Sequence, residues 1–321
     1  MPGLLERYGT VAAGLALIAV FVLFAPNFAT TANILNILKD TSFLAIMALG
    51  FALALTVAEL DLSVADIASL GAVMVGWLVQ MKLDPSVAVL AALAVAAALG
   101  AVNGFGVTVL HVPSLIVTLG TAAIARGLAF MITQGVAFVG RWPAEFTGLA
   151  RGMSLGIPNL VLWMAAVTAF AWGLVKWTRT GAHMNATGEA EEAARLSGIA
   201  TARMKRLGLL LSGVLAGVTA VLLAANLSSA APNMAGDYFL YAIAAVLLGM
   251  TMFEPGRPNV PGTVFAALVL KVLGNGLVLL GAAYYIQDIV LGVIMIGSVA
   301  ASTVLTNRPA FANRLNFRAR A

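Results

Sequence analysis

The run Val87-Ala-Val-Leu-Ala-Ala-Leu-Ala-Val-Ala-Ala-Ala-Leu-Gly-Ala-Val102 decides the fold class of this chain. It lies within a stretch from Pro85 to Ala125 that contains no Asp, Glu, Lys or Arg. The hydrocarbon core of a bilayer is about 30 Å thick, and a helix of about 20 apolar residues crosses it. The stretch therefore predicts membrane-spanning helices.

The composition of the whole chain agrees with this prediction. Of 321 residues, 61% are hydrophobic and 10% are charged, whereas soluble domains have about 25% charged residues. With no Cys and two His, the chain lacks the residues for a thiolate or histidine-rich metal centre, and we expect neither a metal site nor a cofactor. We predict an all-α, polytopic membrane helix bundle that forms one transmembrane domain over residues 1–321.

Charges and turn residues divide the chain into ten apolar segments, each of which predicts a transmembrane helix. The segment at 239–252 is short for a straight span, and the sequence Glu59-Leu-Asp-Leu-Ser63 interrupts the apolar residues between 41 and 80. The predicted helices are Tyr8–Phe24, Thr41–Ala58, Val64–Gln80, Ser86–Leu110, Pro113–Thr133, Ile157–Val175, Leu207–Leu227, Phe239–Met252, Pro261–Gly281 and Tyr284–Leu305.

The basic residues predict the orientation of these helices. With the N-terminus inside, twelve basic residues fall on inside segments and four fall outside, which favours two cytoplasmic termini. The basic residues on inside segments also explain the pI of about 9.8. We therefore expect membrane lipid, and not nucleic acid, as a partner. The inside set is Arg7, Lys176, Arg179, Arg195, Arg203, Lys205, Arg206, Arg257, Arg308, Arg314, Arg318 and Arg320; the outside set is Lys39, Lys82, Arg141 and Arg151.

An Asn-Gly pair occurs late in two of the predicted helices, at Asn103-Gly104 and at Asn275-Gly276. The two helices are fourth and ninth in the order, and a shift of five helices reverses direction. The pattern predicts two inverted repeats, an arrangement found in many transporters. Gly100-x-x-x-Gly104 and Gly213-x-x-x-Gly217 allow close approach of helices and are typical of packing within a bundle.

The longest polar segment, residues 177–206, predicts a cytoplasmic loop that contains a short amphipathic helix over residues 187–199. Glu189, Glu191 and Glu192 lie at its N-terminal end, and Gly198 ends it, as helix electrostatics and capping favour. The pattern alone fits either a solvated linker or a helix on which a partner docks.

Several motifs in this order resemble the permease subunits of bacterial ABC importers of the ribose, xylose and monosaccharide type, within the branched-chain amino acid and ribose permease superfamily. The resemblance covers about residues 30 to 305. The motifs are Asn33-Ile-Leu-Asn-Ile-Leu38, Ala45-Ile-Met-Ala-Leu-Gly50, Asp61-Leu-Ser-Val64, Val102-Asn-Gly104, Ile116-Val-Thr-Leu-Gly120, Arg126-Gly127 and Glu192-Ala-Ala-Arg-Leu-Ser-Gly-Ile199.

The resemblance implies a transport subunit and not an enzyme, and it implies that the polar segment is a docking segment. The implied partners are a second copy of the chain, a cytoplasmic ABC ATPase that binds ATP and Mg, and a periplasmic or surface solute-binding protein. One departure concerns the substrate, because the acidic pair usual in the motif Tyr-Glu-Leu-Asp-Ala is replaced in Tyr238-Phe-Leu-Tyr241-Ala. The residues implied in coupling to the ATPase are Glu189, Glu191, Glu192, Ala193, Arg195 and Gly198.

The polar residues inside or beside the apolar segments are candidates for a translocation path or gate, because charge at membrane depth is costly unless it faces protein or water. Ser63 is expected to cap the helix that follows it, and Arg126 to face the bundle interior with Asp288 as one possible partner. The set is Glu59, Asp61, Ser63, Asn103, Arg126 and Asn275.

The energy source distinguishes two transport classes. A phosphate-binding loop needs Gly-Lys-Ser/Thr, and none of the five lysines follows a glycine. A permease moved by a separate ATPase fits this absence. The alternative is a secondary, ion-coupled transporter with Glu59 and Asp61 as proton-relay carboxylates.

Overall fold

The structure, a computed structural model, describes residues 4–306, with side chains described over 8–300. Within these residues the chain forms thirteen α-helices and four two-residue strands. The helices are α1 (Leu4–Phe24), α2 (Thr31–Thr56), α3 (Val64–Gln80), α4 (Pro85–Thr108), α5 (Ser114–Thr133), α6 (Ala144–Arg151), α7 (Asn159–Trp177), α8 (Arg179–Glu189), α9 (Glu191–Leu196), α10 (Thr201–Leu227), α11 (Tyr238–Gly249), α12 (Val260–Leu279) and α13 (Tyr284–Thr306). The strands are β1 (Phe138–Val139), β2 (Met153–Ser154), β3 (Ile157–Pro158) and β4 (Ser229–Ala230).

The predicted polytopic helix bundle is confirmed. Each of the ten predicted segments corresponds to one helix, namely α1 to α5, α7 and α10 to α13. Of these ten helices, six are long and apolar enough to cross a membrane, namely α2, α4, α5, α7, α10 and α12. The other four, α1, α3, α11 and α13, are shorter apolar helices. The predicted basic tail, with Arg308, Arg314, Arg318 and Arg320, lies outside the described residues.

Two predicted helix starts are wrong. Helix α2 begins at Thr31 and not at Thr41, and α10 begins at Thr201 and not at Leu207. In both cases charged residues precede the apolar run and suggest a loop, but lysine is a good helix former and its long side chain can reach away from apolar surroundings. Lys39 therefore lies within α2 and not in an outside loop.

The chain divides into two compact units, and both boundaries fall inside helices. One unit contains Met1–Ile37 and Ala244–Ala321, and the other contains Leu38–Ile243. In the first unit, α1 packs on α12 around a cluster that includes Phe21 and Val272. Each amide of Asn33 and Asn275 donates a hydrogen bond of 2.9 Å to the other.

The core of the second unit is formed by α3, α4 and α10, with α5 beside α3. Helices α4 and α10 approach closely at their glycines. A Cβ atom on Gly213 would lie 2.6 Å from the carbonyl oxygen of Ala96, and one on Gly100 would lie 2.8 Å from that of Leu209. The two small-residue motifs thus pack on each other within one chain, as the sequence indicates. The inverted repeats remain a prediction.

We expect Gly213→Val to destabilise the chain by about 1–3 kcal/mol, the usual cost of overpacking a well-packed core, because the new side chain would meet the backbone of α4. The measurement is thermal unfolding of the detergent-purified protein. Gly127→Val is the matched control, because Gly127 lies within α5 and a Cβ added there would have no neighbouring atom within 4 Å. Equal unfolding temperatures for the two variants would contradict the close approach of α4 and α10.

Candidate functional site

The break between α2 and α3 occupies residues 57–63, as predicted from the sequence. Its backbone is satisfied by the first turn of α5. The N–H of Leu60 donates to the hydroxyl of Ser114 at 3.2 Å, and the carbonyl of Leu60 accepts from the hydroxyl of Thr118 at 3.1 Å. Lipid cannot supply such partners, so the irregular backbone needs α5 beside it.

A buried polar cluster lies at the end of this break. Asp61, Ser63 and Asn103 each have 0% exposure. The backbone N–H of Ser63 donates to the Asp61 carboxylate at 3.0 Å, and the Ser63 hydroxyl donates to the same oxygen. The Asn103 amide donates to the Ser63 hydroxyl at 2.9 Å, which connects the break to α4.

The prediction that Ser63 caps α3 with its side chain is wrong. Ser63 stands at the N-cap position, but its hydroxyl makes no capping hydrogen bond. The hydroxyl donates instead to a carboxyl oxygen of Asp61, two residues earlier in the chain.

Arg126 on α5 forms a two-bond ion pair with Asp66 in the first turn of α3. Its Nε lies 2.9 Å from Oδ1 and its Nη2 lies 2.9 Å from Oδ2. The guanidinium of Arg126 thus contacts protein, although 57% of its side chain is exposed, and its partner is Asp66 and not Asp288. Asp66 was not predicted as a site residue, because an acidic residue in the first turn of a helix is common and stabilises the helix dipole without any partner.

A cavity of about 500 Å³ opens beside this ion pair. Its polar groups come from Asp66, Arg126, Asn233 and Asp237, and it has two aromatic side chains, Phe130 and Phe239. The full lining is Leu62, Ala65, Asp66, Leu119, Ala122, Arg126, Phe130, Asn233, Gly236, Asp237 and Phe239.

The irregular segment 231–237, between β4 and α11, supplies the second wall of the cavity. Two contacts hold it. The backbone N–H of Ala235 donates to the hydroxyl of Ser69 on α3 at 3.1 Å, and β4 pairs antiparallel with β1. The sequence analysis missed Asn233 and Asp237, since they lie in a stretch without helical periodicity.

The polar segment after α7 contains two helices, which corrects the prediction of one helix over 187–199. Helix α8 ends at Glu189, Ala190 leaves helical geometry with φ −156° and ψ 82°, and α9 begins at Glu191. Gly188, one residue before the end of α8, lies against the end of α2, where a Cβ would overlap the carbonyl oxygen of Thr56. This position therefore requires a glycine.

The prediction that Gly198 ends this helix is confirmed. Gly198 follows the C-cap residue Ser197, and its φ is +83°. Gly198 N–H donates to the carbonyl of Arg195, and Ile199 N–H donates to that of Ala194, both at 3.0 Å. These two bonds form a Schellman motif, which requires a left-handed residue at this position.

The outer face of α9 carries an exposed ion pair. Arg195 Nε lies 3.2 Å from a Glu192 carboxylate oxygen, and Ala193 beside them is also exposed. The hydrogen bond from Arg195, and then its charge, hold the pKa of Glu192 below its usual value. Glu192 therefore stays ionised at neutral pH, and this face of α9 presents both charges to solvent.

Lys205 was not among the predicted site residues, but it contacts two that were, Glu59 and Glu191. The ammonium of Lys205, near the start of α10, lies 2.8 Å from Glu59 in the break and 2.7 Å from Glu191 at the start of α9. The remaining candidate, Asn275, belongs to the other compact unit, where it pairs with Asn33.

A polytopic bundle with an interrupted helix, a polar cavity among its helices and a helical segment outside the bundle core is typical of a membrane transport protein. The family described as branched-chain amino acid transport system / permease component matches residues 33–299, and the chain belongs to this family.

Curated relatives agree over nearly the whole chain. The ribose import permease protein of Escherichia coli strain K12 is 38% identical over 299 residues, which cover 92% of this chain and 93% of the relative. The ribose import permease protein of Bacillus subtilis strain 168 is 32% identical, with 92% of each covered. The D-allose transport system permease protein of Escherichia coli strain K12 is 31% identical, with 94% and 93% covered. The resemblance to sugar-type ABC permeases is confirmed.

Proposed function

We propose that this chain is the membrane-spanning subunit of an ATP-driven importer that moves a neutral sugar or sugar-like solute into the cytoplasm. The observation that carries the proposal is the cavity of about 500 Å³ between α3, α5 and residues 231–239. Its volume falls within the range of small-molecule sites, about 300–1,000 Å³.

The lining chemistry supports a polyhydroxylated solute. Each sugar hydroxyl can donate and accept a hydrogen bond; Asp237 accepts, Arg126 donates, and the amide of Asn233 does both. The rings of Phe130 and Phe239 offer apolar surface to the C–H face of a sugar. Two carboxylates and one guanidinium give the lining a net negative charge, which disfavours phosphorylated or acidic sugars.

The relatives support the same class of substrate. The names of those described above specify ribose and allose, and a further relative, 30% identical, is the L-arabinose transport system permease protein of Escherichia coli strain K12. All three sugars are neutral monosaccharides. The cavity of this chain and the names of its relatives therefore point to one class of solute, and these three sugars are the first to test.

The partners follow from the family and from the outer segment. We propose that an ABC ATPase, which carries ATP and Mg, docks on α8 and α9, with Glu189, Glu191, Glu192, Ala193, Arg195 and Gly198 at or beside the contact. A second copy of the chain and a solute-binding protein complete the complex in the bacterial inner membrane, with both termini cytoplasmic. ATP binding would move α9 and change which side of the path is open, and the break at Glu59, Asp61 and Ser63, with Asn103, would act as the gate.

The contacts of Glu59 support this mechanism over ion coupling. Glu59 lies 2.8 Å from the ammonium of Lys205, and Lys205 lies 2.7 Å from Glu191 at the start of α9. This carboxylate is therefore joined to the outer segment on which an ATPase would dock.

The test is uptake into proteoliposomes that contain the complex purified from native membranes through a tag on this chain. We expect an ATPase to co-purify, and ribose, allose or arabinose uptake to need internal ATP and the added binding protein. Uptake driven by a proton or sodium gradient without ATP would overturn the proposal and favour the ion-coupled alternative.

Gly198→Val is expected to reduce sugar-stimulated ATP hydrolysis by the complex without lowering the amount of chain in the membrane. A β-branched residue is strained at φ +83° and would deform the end of α9, while the transmembrane helices stay untouched. Gly198→Asn is the control, since Asn tolerates the left-handed conformation and should retain most stimulation. Equal hydrolysis by the two variants would remove this turn from the coupling role.

A further inference from the structure

Lys205 forms ion pairs with two separate parts of the described structure. One partner is on α9, and the other is in the break between α2 and α3. Its ammonium donates to both carboxylates, at 2.8 Å to Glu59 and 2.7 Å to Glu191. The side chains of Lys205 and Glu59 are 17% and 8% exposed, whereas that of Glu191 is 48% exposed. The contact therefore runs from a half-exposed helix end to a buried position.

We propose that Lys205 is a positioning residue that transmits the position of α9 to the break and from there to the wall of the cavity. This inference rests on the proposed function, in which an ATPase moves α9. It identifies Lys205 as the residue that would connect movement of α9 to the break within one chain.

The first step of the transmission is electrostatic. A lysine ammonium has three donors and can hold two carboxylates at once, so a displacement of Glu191 with α9 pulls on Lys205. Lys205 cannot simply release Glu59, since removing one partner from a buried ion pair leaves an uncompensated charge, which is strongly unfavourable.

The second step is mechanical. The backbone N–H of Glu59 donates to the carbonyl of Ala54 at the end of α2, and the break then leads through Asp61 into α3. The first turn of α3 carries Asp66, which lines the cavity and holds Arg126. A shift of Glu59 would therefore move the start of α3, and with it Asp66, which forms the ion pair with Arg126 at the cavity.

A second contact joins the same elements. The Cα of Gly188, at the end of α8, is so close to Thr56 that a Cβ would overlap the Thr56 carbonyl oxygen. The end of α8 thus rests directly on the end of α2, just before the break. A direct backbone contact and an ion bridge therefore join the outer segment to the residues around the break.

The test uses the complex purified with its ATPase and binding protein, with sugar-stimulated ATP hydrolysis and uptake as readouts. Glu191→Gln releases α9 and leaves the buried Glu59–Lys205 pair intact, so the break should stay folded. We expect stimulation and uptake to fall by roughly 5-fold, with the ATPase still co-purifying and the unfolding temperature unchanged. Lys205→Met should lower stimulation at least as much, and Lys205→Arg, which keeps the charge and several donors, should restore most of it.

Arg203→Met is the matched control, because Arg203 is an exposed basic residue on the same turn of α10. It should leave stimulation unchanged. Combined Glu191→Gln and Lys205→Met should be less than additive, as expected for two members of one contact. Wild-type stimulation retained by both single variants would overturn the inference. Loss of the ATPase from the Glu191→Gln complex would also overturn it, because the lower stimulation would then come from weaker docking and not from the contact with Lys205. Absence of stimulation in the wild-type complex would instead overturn the proposed function.

Discussion

Arg126→Leu is expected to reduce sugar uptake by roughly 100-fold while the chain still inserts and assembles. The substitution removes the partner of Asp66, whose side chain is 9% exposed beside the cavity. Loss of the hydrogen-bonded partner of a buried polar group costs about 1–3 kcal/mol, and more for a charged group, and each 1.4 kcal/mol is about tenfold in an equilibrium. The measurement is ATP-dependent uptake by the reconstituted complex.

Two further variants separate charge from geometry at this pair. Arg126→Lys keeps the charge but loses the two parallel hydrogen bonds, and we expect intermediate uptake. Arg126→Gln combined with Asp66→Asn removes both charges and should restore stability but not uptake, because the cavity loses its charged donor and acceptor. Normal uptake by Arg126→Leu, together with a higher unfolding temperature, would place Arg126 outside the path.

The helices themselves could be predicted because their signal is local. An apolar run such as 85–108 has one stable solution in a bilayer, a helix, since every backbone group must be satisfied within the segment. Their starts were harder to predict. Lys39 and Lys205 are charged yet helical, and whether a charge ends a helix depends on a partner elsewhere in the fold, such as Glu59 for Lys205.

The contacts of the candidate site could not be predicted in the same way. Arg126 and Asp66 are 60 residues apart, and their pairing depends on how α3 and α5 face each other. In a soluble helix a polar face would show that orientation, but α3 and α5 are apolar on most faces, and so their periodicity carries little information. For the same reason the sequence places Arg126 correctly within a span but does not identify its partner.

The break at residues 57–63 could be predicted in position, as the helices could, but its contacts could not. Two carboxylates within five residues predicted an interruption, and the structure has one. Its contacts come from other helices, from Ser114 and Thr118 on α5 and from Asn103 on α4. Polar residues inside apolar segments thus indicated where the fold departs from regular helix, but not what each of them binds.

Asp61→Ala is expected to lower uptake by roughly 30-fold or more without changing the sugar affinity of the binding protein. The alanine would leave both Ser63 donors without their acceptor at a fully buried position. Each unsatisfied buried donor costs about 1–3 kcal/mol, and the cost falls on the conformation in which the break connects α3 to α4. Uptake by proteoliposomes and calorimetric titration of the isolated binding protein are the two measurements.

Asp84→Ala is the matched control, because Asp84 also accepts a hydrogen bond from the backbone N–H two residues later, in this case Ser86 at 2.8 Å. It caps α4 at an exposed position, and its loss should cost only about 1 kcal/mol of stability, with uptake unchanged. Asp61→Asn retains one acceptor for Ser63 and should fall between wild type and Asp61→Ala. If Asp61→Ala transports fully, the break has no gating role. If Asp61→Ala and Asp84→Ala lose uptake equally, the loss reflects general destabilisation and not the position of the break beside the path.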